Sequence, residues 1–419
     1  MNYKILILGV ILAVAVVGVV LISTSGNEED NYTLGDLPET RLMILGNAYM
    51  DDYLDQKDVN YLSDLISGVE GPTENDLCDA NGDGVIDEAD VEQIKDMIAK
   101  KAKKIWYVDV DKEVRSINYP LTNMLPVYID YAEILFVLGQ KDRIVGGDDT
   151  VVVSNFTQFE LNVPTVGSRY LPNLEAILTI AEEHKNLTIF TGTRQWYDGD
   201  LESKIESYGI QVIRLPGWEN GLADTGVRTV GFLMDQNDRA EKYLKWHDGI
   251  MDKIEDRVKD IPENERRKVF LDYNGNSRGP TSGYYENIIF AGGINLCDHL
   301  GDGTKYNNPW DAEWVLLWNP EIFMSCVTST YVGTQETLDN RYNDLREKLV
   351  RYTGDICVFG YEIANGPSYV VSLIIYASLF YPDLFEDLDP IAEFQYYLDN
   401  IVERDADASS MAIIRYETR

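Results

Sequence analysis

From Ile105 to the C-terminus, short apolar runs alternate with amphipathic stretches, and one uninterrupted helical stretch, Asp235 to Val258, divides that alternation in two. Short apolar runs bounded by turns read as strands buried on both faces. Alternated with helices, they require an α/β architecture with a largely parallel sheet. Strands are expected at Arg143 to Gly147, Leu187 to Phe190, Gln211 to Leu215, Arg267 to Tyr273, Ile322 to Val327 and Ile356 to Tyr361. Helices are expected at Tyr131 to Leu138, Asn173 to Glu183, Leu201 to Tyr208, near Tyr284 to Ala291, near Ala312 to Trp318, and at Leu345 to Tyr352. Trp106 to Val114 reads as a short strand pair. The pattern predicts two Rossmann-like lobes, residues 105–234 and 263–419, joined by a long helix within 235–262.

The balance of charge narrows the partners. The 419 residues carry 71 acids against 36 bases, a net charge of -35. Phosphate backbones and anionic lipid need clustered Lys and Arg, so nucleic acid is excluded as a partner. No P-loop, GxGxxG or HExxH occurs, and three scattered histidines make a poor metal set. Gly275-Asn276-Ser277-Arg278-Gly279 fits G-x-S-x-G after a strand, the setting of a hydrolase nucleophile. Pro280 and Gly283 follow where a helix should begin at once, and the sole later histidine, His299, comes too soon for a Ser–acid–His order. The chain is therefore read as a non-enzyme. Among Cys78, Cys297, Cys326 and Cys357 no CxxC pair occurs. A disulfide among the last three and buried free thiols are both open.

The N-terminus carries a second signal. Ile5 to Ile22 holds no charge, with Lys4 before it and Glu28, Glu29 and Asp30 after it. Eighteen residues at about 1.5 Å each span about 27 Å, close to a bilayer core. The length and the lack of a lipobox cysteine after the Ser-Thr-Ser-Gly end favour an uncleaved membrane helix over a cleaved signal, with the body outside the cell. Residues up to 40 then form a polar linker.

Residues 41–104 hold two related segments. The clear one runs from Asp79 to Asp90. Ca²⁺ wants six to eight oxygens. Here Asp79, Asn81, Asp83 and Asp87 stand at loop positions 1, 3, 5 and 9, the Val85 carbonyl at 7, and Asp90 at 12. Gly84 permits the sharp turn. Asp at position 12, followed by one amphipathic helix with Val91, Ile94, Met97 and Ile98, resembles the dockerin repeat. The earlier copy is degraded: Asn47, Asp51, Tyr53, Asp55 and Asp58 match, but Tyr49 stands at position 3 and Asp52 where glycine belongs. One good calcium site and one weak or empty site are expected. The resemblance implies a cohesin-like partner, and a structural spacer is the equal alternative.

In the body the order of pieces resembles a family. Tyr131 to Gly139 followed by Asp142, Arg143 and Gly146 is similar to the first helix and strand of the class III solute-binding proteins, which bind iron siderophores, haem and vitamin B12. Pro164 to Gly167, Pro172 to Glu175 and Asn186 to Phe190 look like the next unit. Ala291 to Asn295, Trp310 to Phe323, and Gly366-Pro367 through Phe385 continue the likeness to the end. It covers roughly residues 105–419. The resemblance implies an extracytoplasmic binding protein that delivers a ferric chelate or corrinoid to an ABC permease, with a small closure of the lobes. A surface adhesion or scaffold protein acting through the calcium module is the alternative.

Ligands of open α/β sheets sit outside the carboxyl ends of strands. This places Tyr128, Asp130, Arg169, Tyr170, Arg194, Trp196, Tyr197 and Trp218 on the first lobe's side of a cleft. Asn276, Arg278, Tyr284, Thr328 and Tyr361 stand on the second. Guanidiniums fork onto carboxylates, and rings cover the flat face of a large anionic chelate. Glu175 and Glu313 occupy matching places early in a helix of each lobe. The family resemblance implies that they meet arginines of the permease.

Overall fold

A computed structural model describes residues 40–69, 77–153, 161–217, 222–280, 282–297, 309–327, 334–411 and 413–417. The apolar stretch 5–22, Trp218 and Thr328 lie outside them. Among the described residues no helix is long and apolar enough to cross a membrane. The chain divides into two compact units. The smaller runs to Val108 and includes Val114–Tyr119, and the larger comprises Asp109–Glu113 and everything from Pro120 onward.

In the smaller unit, helices α1 (Gln56–Ile66) and α2 (Glu88–Ile98) are built alike. Each starts on an aspartate N-cap, Asp55 or Asp87, and each has an aspartate three residues on, Asp58 or Asp90, that bonds back to the cap's amide. Such reciprocal caps satisfy two orphan helix donors and stabilise by about 1 kcal/mol. Leu42, Ile44, Leu62, Cys78, Val91 and Ile94 form its core. Strands β1 (Lys104–Val108) and β2 (Val114–Asn118) make an antiparallel hairpin. It groups with this unit, past the boundary expected at residue 104. The reason is backbone pairing: Leu45 donates to the Trp106 carbonyl and Val108 to that of Met43, both at 2.9 Å.

The larger unit opens with the first lobe. Strand β3 (Asn123–Pro126) leads into α3 (Ile129–Val137), the short α4 (Asp149–Val153) and α5 (Leu174–Glu183). β4 (Leu187–Thr191), α6 (Leu201–Ile205), β5 (Gln211–Arg214) and α7 (Ala223–Leu233) follow. The sheet is parallel, in the order β3-β4-β5. The expected strand 143–147 is instead a 3-10 turn, Lys141–Arg143, followed by the isolated bridges Met124↔Ile144 and Gly147↔Thr165. Two adjacent glycines, and the start of α4 at Asp149, leave no run long enough for a continuous ladder.

Helix α8 (Asn237–Val258) links the lobes. It buries Ala240, Tyr243, Leu244, His247, Ile250, Ile254 and Val258, one stripe at helical spacing. The second lobe runs β6 (Lys268–Tyr273), β7 (Asn276–Ser277), α9 (Gly283–Phe290), β8 (Ile294–Asn295), α10 (Ala312–Trp318), β9 (Ile322–Val327), α11 (Gln335–Lys348), β10 (Asp355–Gly360), α12 (Val370–Phe380), α13 (Pro390–Tyr396) and β11 (Ile414–Glu417). Its sheet has the order β11-β10-β9-β6-β7, with β8 also on β6. β6, β9 and β10 are parallel, while β7 and β11 are antiparallel.

The helix expected at 345–352 is the tail of α11, which starts at the Thr334 cap and stops at Lys348. Leu338, Tyr342 and Leu345 are its buried stripe, and the polar residues between them hide its first turns. All four cysteines are buried free thiols, which removes the disulfide alternative.

Candidate functional site

Tyr128 marks the start of the site. It is the N-cap of α3 with φ 133 and ψ 150, a backbone region essentially reserved for glycine. Such strain costs about 1–3 kcal/mol and persists only where its surroundings impose it. Here they do. Val127 donates its amide to Phe190 at 2.8 Å, and Ile129 donates to the Thr150 hydroxyl at 3.2 Å, so strand end and helix start are both fixed. The ring that results carries the Arg169 guanidinium 3.9 Å above its centre. Arg169 also lies over Tyr170 at 4.8 Å and donates to its hydroxyl at 2.9 Å. Tyr197 is buried behind Tyr128 and Tyr131, at ring separations of 6.5 and 6.0 Å.

The second lobe answers with the same chemistry. Tyr361 meets the Tyr128 ring edge-on at 6.3 Å. Arg278 lies 4.2 Å over the ring of Tyr273, which packs on Tyr284 at 4.9 Å. The Asn365 amide holds the Tyr284 hydroxyl at 2.5 Å. Burial pushes the Tyr273 hydroxyl up, and the charges of Arg278 and Arg169 oppose that shift. One phenol therefore feels a guanidinium from each lobe. Asp148 is buried on the Arg169 side, donated to by the Thr150 hydroxyl at 2.7 Å. Burial pushes it up to about 6, against the Thr150 and Val151 hydrogen bonds and the charge of Arg169. Tyr273, Asn365 and Asp148 were not among the residues expected from sequence.

Other expected residues stand elsewhere. Arg194 is engaged by acids. Its guanidinium is enclosed by Asp109 at 3.1 Å, Asp111 at 2.6 Å, Glu202 at 2.9 Å and Glu113 at 3.6 Å. Three of these come from the 109–113 loop, and Arg214 shares Glu202 at 2.6 Å. Trp196 is half-buried in the turn that follows β4, its amide bonded to Thr193. Asp130 is buried in the first turn of α3 beside Gly366, so it is withdrawn from solvent. Asn276 sits in β7 and bridges Pro309. Ser277 pairs with Asp272 in that hairpin and is buried, which is no nucleophile elbow. Glu175 and Glu313 are exposed in the first turns of α5 and α10.

In the smaller unit the loop from Asp79 curls as its spacing predicts. Asp79 accepts from the amides of Asp83 and Gly84 at 3.1 and 2.9 Å, and Asn81 from Asp83 at 2.9 Å. Asp83 accepts from Val85 at 2.9 Å and Asp87 from Ala89 at 2.7 Å. Asp90 closes the ring, accepting from Asn81 and Asp87 at 3.0 and 2.9 Å. Gly84 has φ 87, as the turn demands. Burial, then the charges of Asp79 and Asp83, push Asp90 up. Among the described residues no Lys or Arg pairs with these acids, so the donor set fits a hard divalent cation.

The earlier loop does not gather its oxygens in this way. Asn47 turns its amide nitrogen onto Thr40, Leu42 and Asp51. Lys57 lies 3.7 Å from Asp51, and Arg41 holds Asp52 at 2.6 Å. Asp51 accepts from Tyr53, Asp55 caps α1, and Asp58 accepts from Tyr49 and Asp55.

Two lobes, each built on a sheet with a parallel core, joined by one long helix and meeting through tyrosines of both, have the architecture of a two-lobed solute-binding protein. Residues 127–341, just over half of the chain, match the family model described as periplasmic binding protein, and the chain belongs to that family. Its fold is similar to the TroA-like periplasmic binding protein FepB of Veillonella parvula, with TM-score 0.59 and 16% identity over 75% of this chain and 99% of that one. The molybdate periplasmic binding protein MolA of Haemophilus influenzae gives 0.57 and 14%, over 72% and 98%. CeuE of Helicobacter pylori, in a nickel–histidine complex, gives 0.54 and 16%, over 73% and 98%. Among curated proteins no sequence matches. The chain thus belongs to a family of non-enzymatic, extracytoplasmic solute-binding proteins of the kind that serve ABC transporters.

Proposed function

We propose that the cleft captures an anionic ferric chelate of the siderophore type, with a corrinoid as the second candidate, and delivers it to an ABC permease. One observation carries this reading. Arg169 over Tyr128 and Arg278 over Tyr273 bring one guanidinium and one ring from each lobe toward a shared phenol. A flat or apolar chelate with peripheral carboxylates or catecholates suits such a set. Glu175 and Glu313, one exposed on each lobe, would report the lobe spacing to basic residues of the permease. Calcium in the Asp79–Asp90 loop would stiffen the smaller unit, and the apolar stretch 5–22 would anchor the chain outside the membrane.

The test is a fluorescence titration of the full chain with a ferric catecholate, a ferric hydroxamate, cyanocobalamin, haemin and molybdate. Saturable quenching at submicromolar ferric chelate supports the reading. Saturation by cobalamin alone moves the assignment to corrinoids. Tight binding of molybdate alone overturns the large-chelate reading.

A further inference from the structure

The polar groups that fasten the two lobes lie away from the cleft, along α3. Glu133, on the first lobe, is buried there. Its Oε1 accepts from the Ser368 amide at 3.1 Å and the Tyr397 hydroxyl at 2.5 Å, both on the second lobe. The fit is close. Gly366 has φ 61, and a Cβ added there would strike Glu133 Oε2. The same short segment reaches the cleft, because Asn365 holds Tyr284. The linking helix closes the other side. The Tyr243 hydroxyl donates to the Pro367 carbonyl at 3.0 Å, and the Trp246 ring lies 5.0 Å from that of Tyr397.

The charged and titratable groups on the elements packed against α3 do not compensate a charge on Glu133. Asp130 shares its helix. Tyr243 and His247 come from α8, with His247 bonded to Asp248 at 2.9 Å and to the Tyr369 hydroxyl at 3.0 Å. Asp224 and Arg228 come from α7, where Arg228 lies 3.9 Å from Glu241. Tyr397, on the second lobe, is the phenol bonded to Glu133, and Tyr369 stands beside His247. Among the described residues no cation pairs with Glu133. A buried carboxylate with no cation is costly, whereas a neutral carboxyl with two donors is not.

We propose that Glu133 is a proton-dependent bolt across the lobe hinge: with its proton it ties α3 to the 365–368 segment, and without it the lobes, and the cleft they form, loosen. The proton passes to solvent as water enters the hinge. This holds whichever solute fills the cleft. Burial pushes Glu133 up to about 8, against the hydrogen bonds from Tyr397 and Ser368. Its folded value lies above the ordinary carboxylate range. The bolt's contribution is therefore fully present in acid and is lost as pH rises to about 8.

The test uses the full chain with Glu182→Cys and Glu347→Cys, both exposed and on opposite lobes, carrying spin labels. The native cysteines are buried and do not compete. The interlobe distance distribution should broaden between pH 6 and pH 9. In E133Q it should stay narrow across that range, and the melting advantage of E133Q over the parent should be larger at pH 9 than at pH 6. Y397F removes a bond that favours the ionised form, so its midpoint should move to higher pH. It serves equally if E133Q does not fold. A distribution that ignores pH in the parent, a pH response unchanged in E133Q, or an unmoved midpoint in Y397F would overturn the proposal.

Discussion

Between Asp79 and Asp90 the chain gathers carboxylates and gives them no basic partner among the described residues. Around Tyr128 and Tyr273 it does the reverse, collecting two guanidiniums and a set of phenols with Asp148 as the acid beside them. The chain as a whole carries a net charge of -35, so two guanidiniums set over rings stand against the prevailing sign. Arg194, ringed by four acids, is the opposite case. The difference teaches that charge sign alone does not mark a site. What marks it is what the local structure sets around each charge: rings over Arg169 and Arg278, acids around Arg194.

The largest expected effect tests that distinction directly. Arg169→Ala should weaken ferric-chelate binding by about 10- to 100-fold, since a charged hydrogen bond is worth about 1.5–3 kcal/mol. Arg194→Ala should leave that affinity within about twofold while destabilising the larger unit, because it strands the buried Asp109 carboxylate. Equal losses of affinity in the two variants, measured by titration, would erase the contrast.

A second effect separates the two loops of the smaller unit. Calcium should raise the melting temperature of the parent, and Asp79→Ala should abolish the rise. Asp51→Ala should leave most of it, because Asp51 already faces Lys57. Calorimetry that finds the same calcium binding in Asp79→Ala and the parent would remove the loop from the account.

The smallest effect sharpens the cleft. Asp148, pushed up to about 6, competes as a carboxylate for Arg169 above that pH and ceases to do so below it. Anionic chelate should therefore bind about two- to fivefold more tightly at pH 5 than at pH 7. Asp148→Asn should bind equally at both. A parent whose affinity is flat across this range would show that Asp148 does not tune Arg169.

What was legible in the sequence was local. Asp235 to Val258 announced its helix because Tyr243, Leu244, Ile250 and Ile254 fall on one stripe. The Asp79 loop was legible because its donors are spaced along one turn. Arg169 and Arg194 were both expected from their places after a strand; the structure sets the first over the ring of Tyr128 and encloses the second in acids. The acids that claim Arg194 come largely from residues 109–113, far away in sequence. Helix α7 was missed because Asp224, Thr225, Arg228 and Thr229 are buried, and polar residues on an inward face erase the periodicity. Tyr273 and Asn365 gave no signal, since each acts only through a partner that the fold supplies.

The linking helix has a consequence for how such a chain diversifies. Its 22 residues run about 33 Å, and each residue turns the axis by about 100°. Exchanging a side chain on its outer face changes little. Adding or removing one residue would swing one lobe round the other and separate Tyr128 from Tyr361. A lineage of proteins built on this frame is therefore free to rewrite its cargo in the loops at the strand ends, but holds the count of residues in the helix fixed.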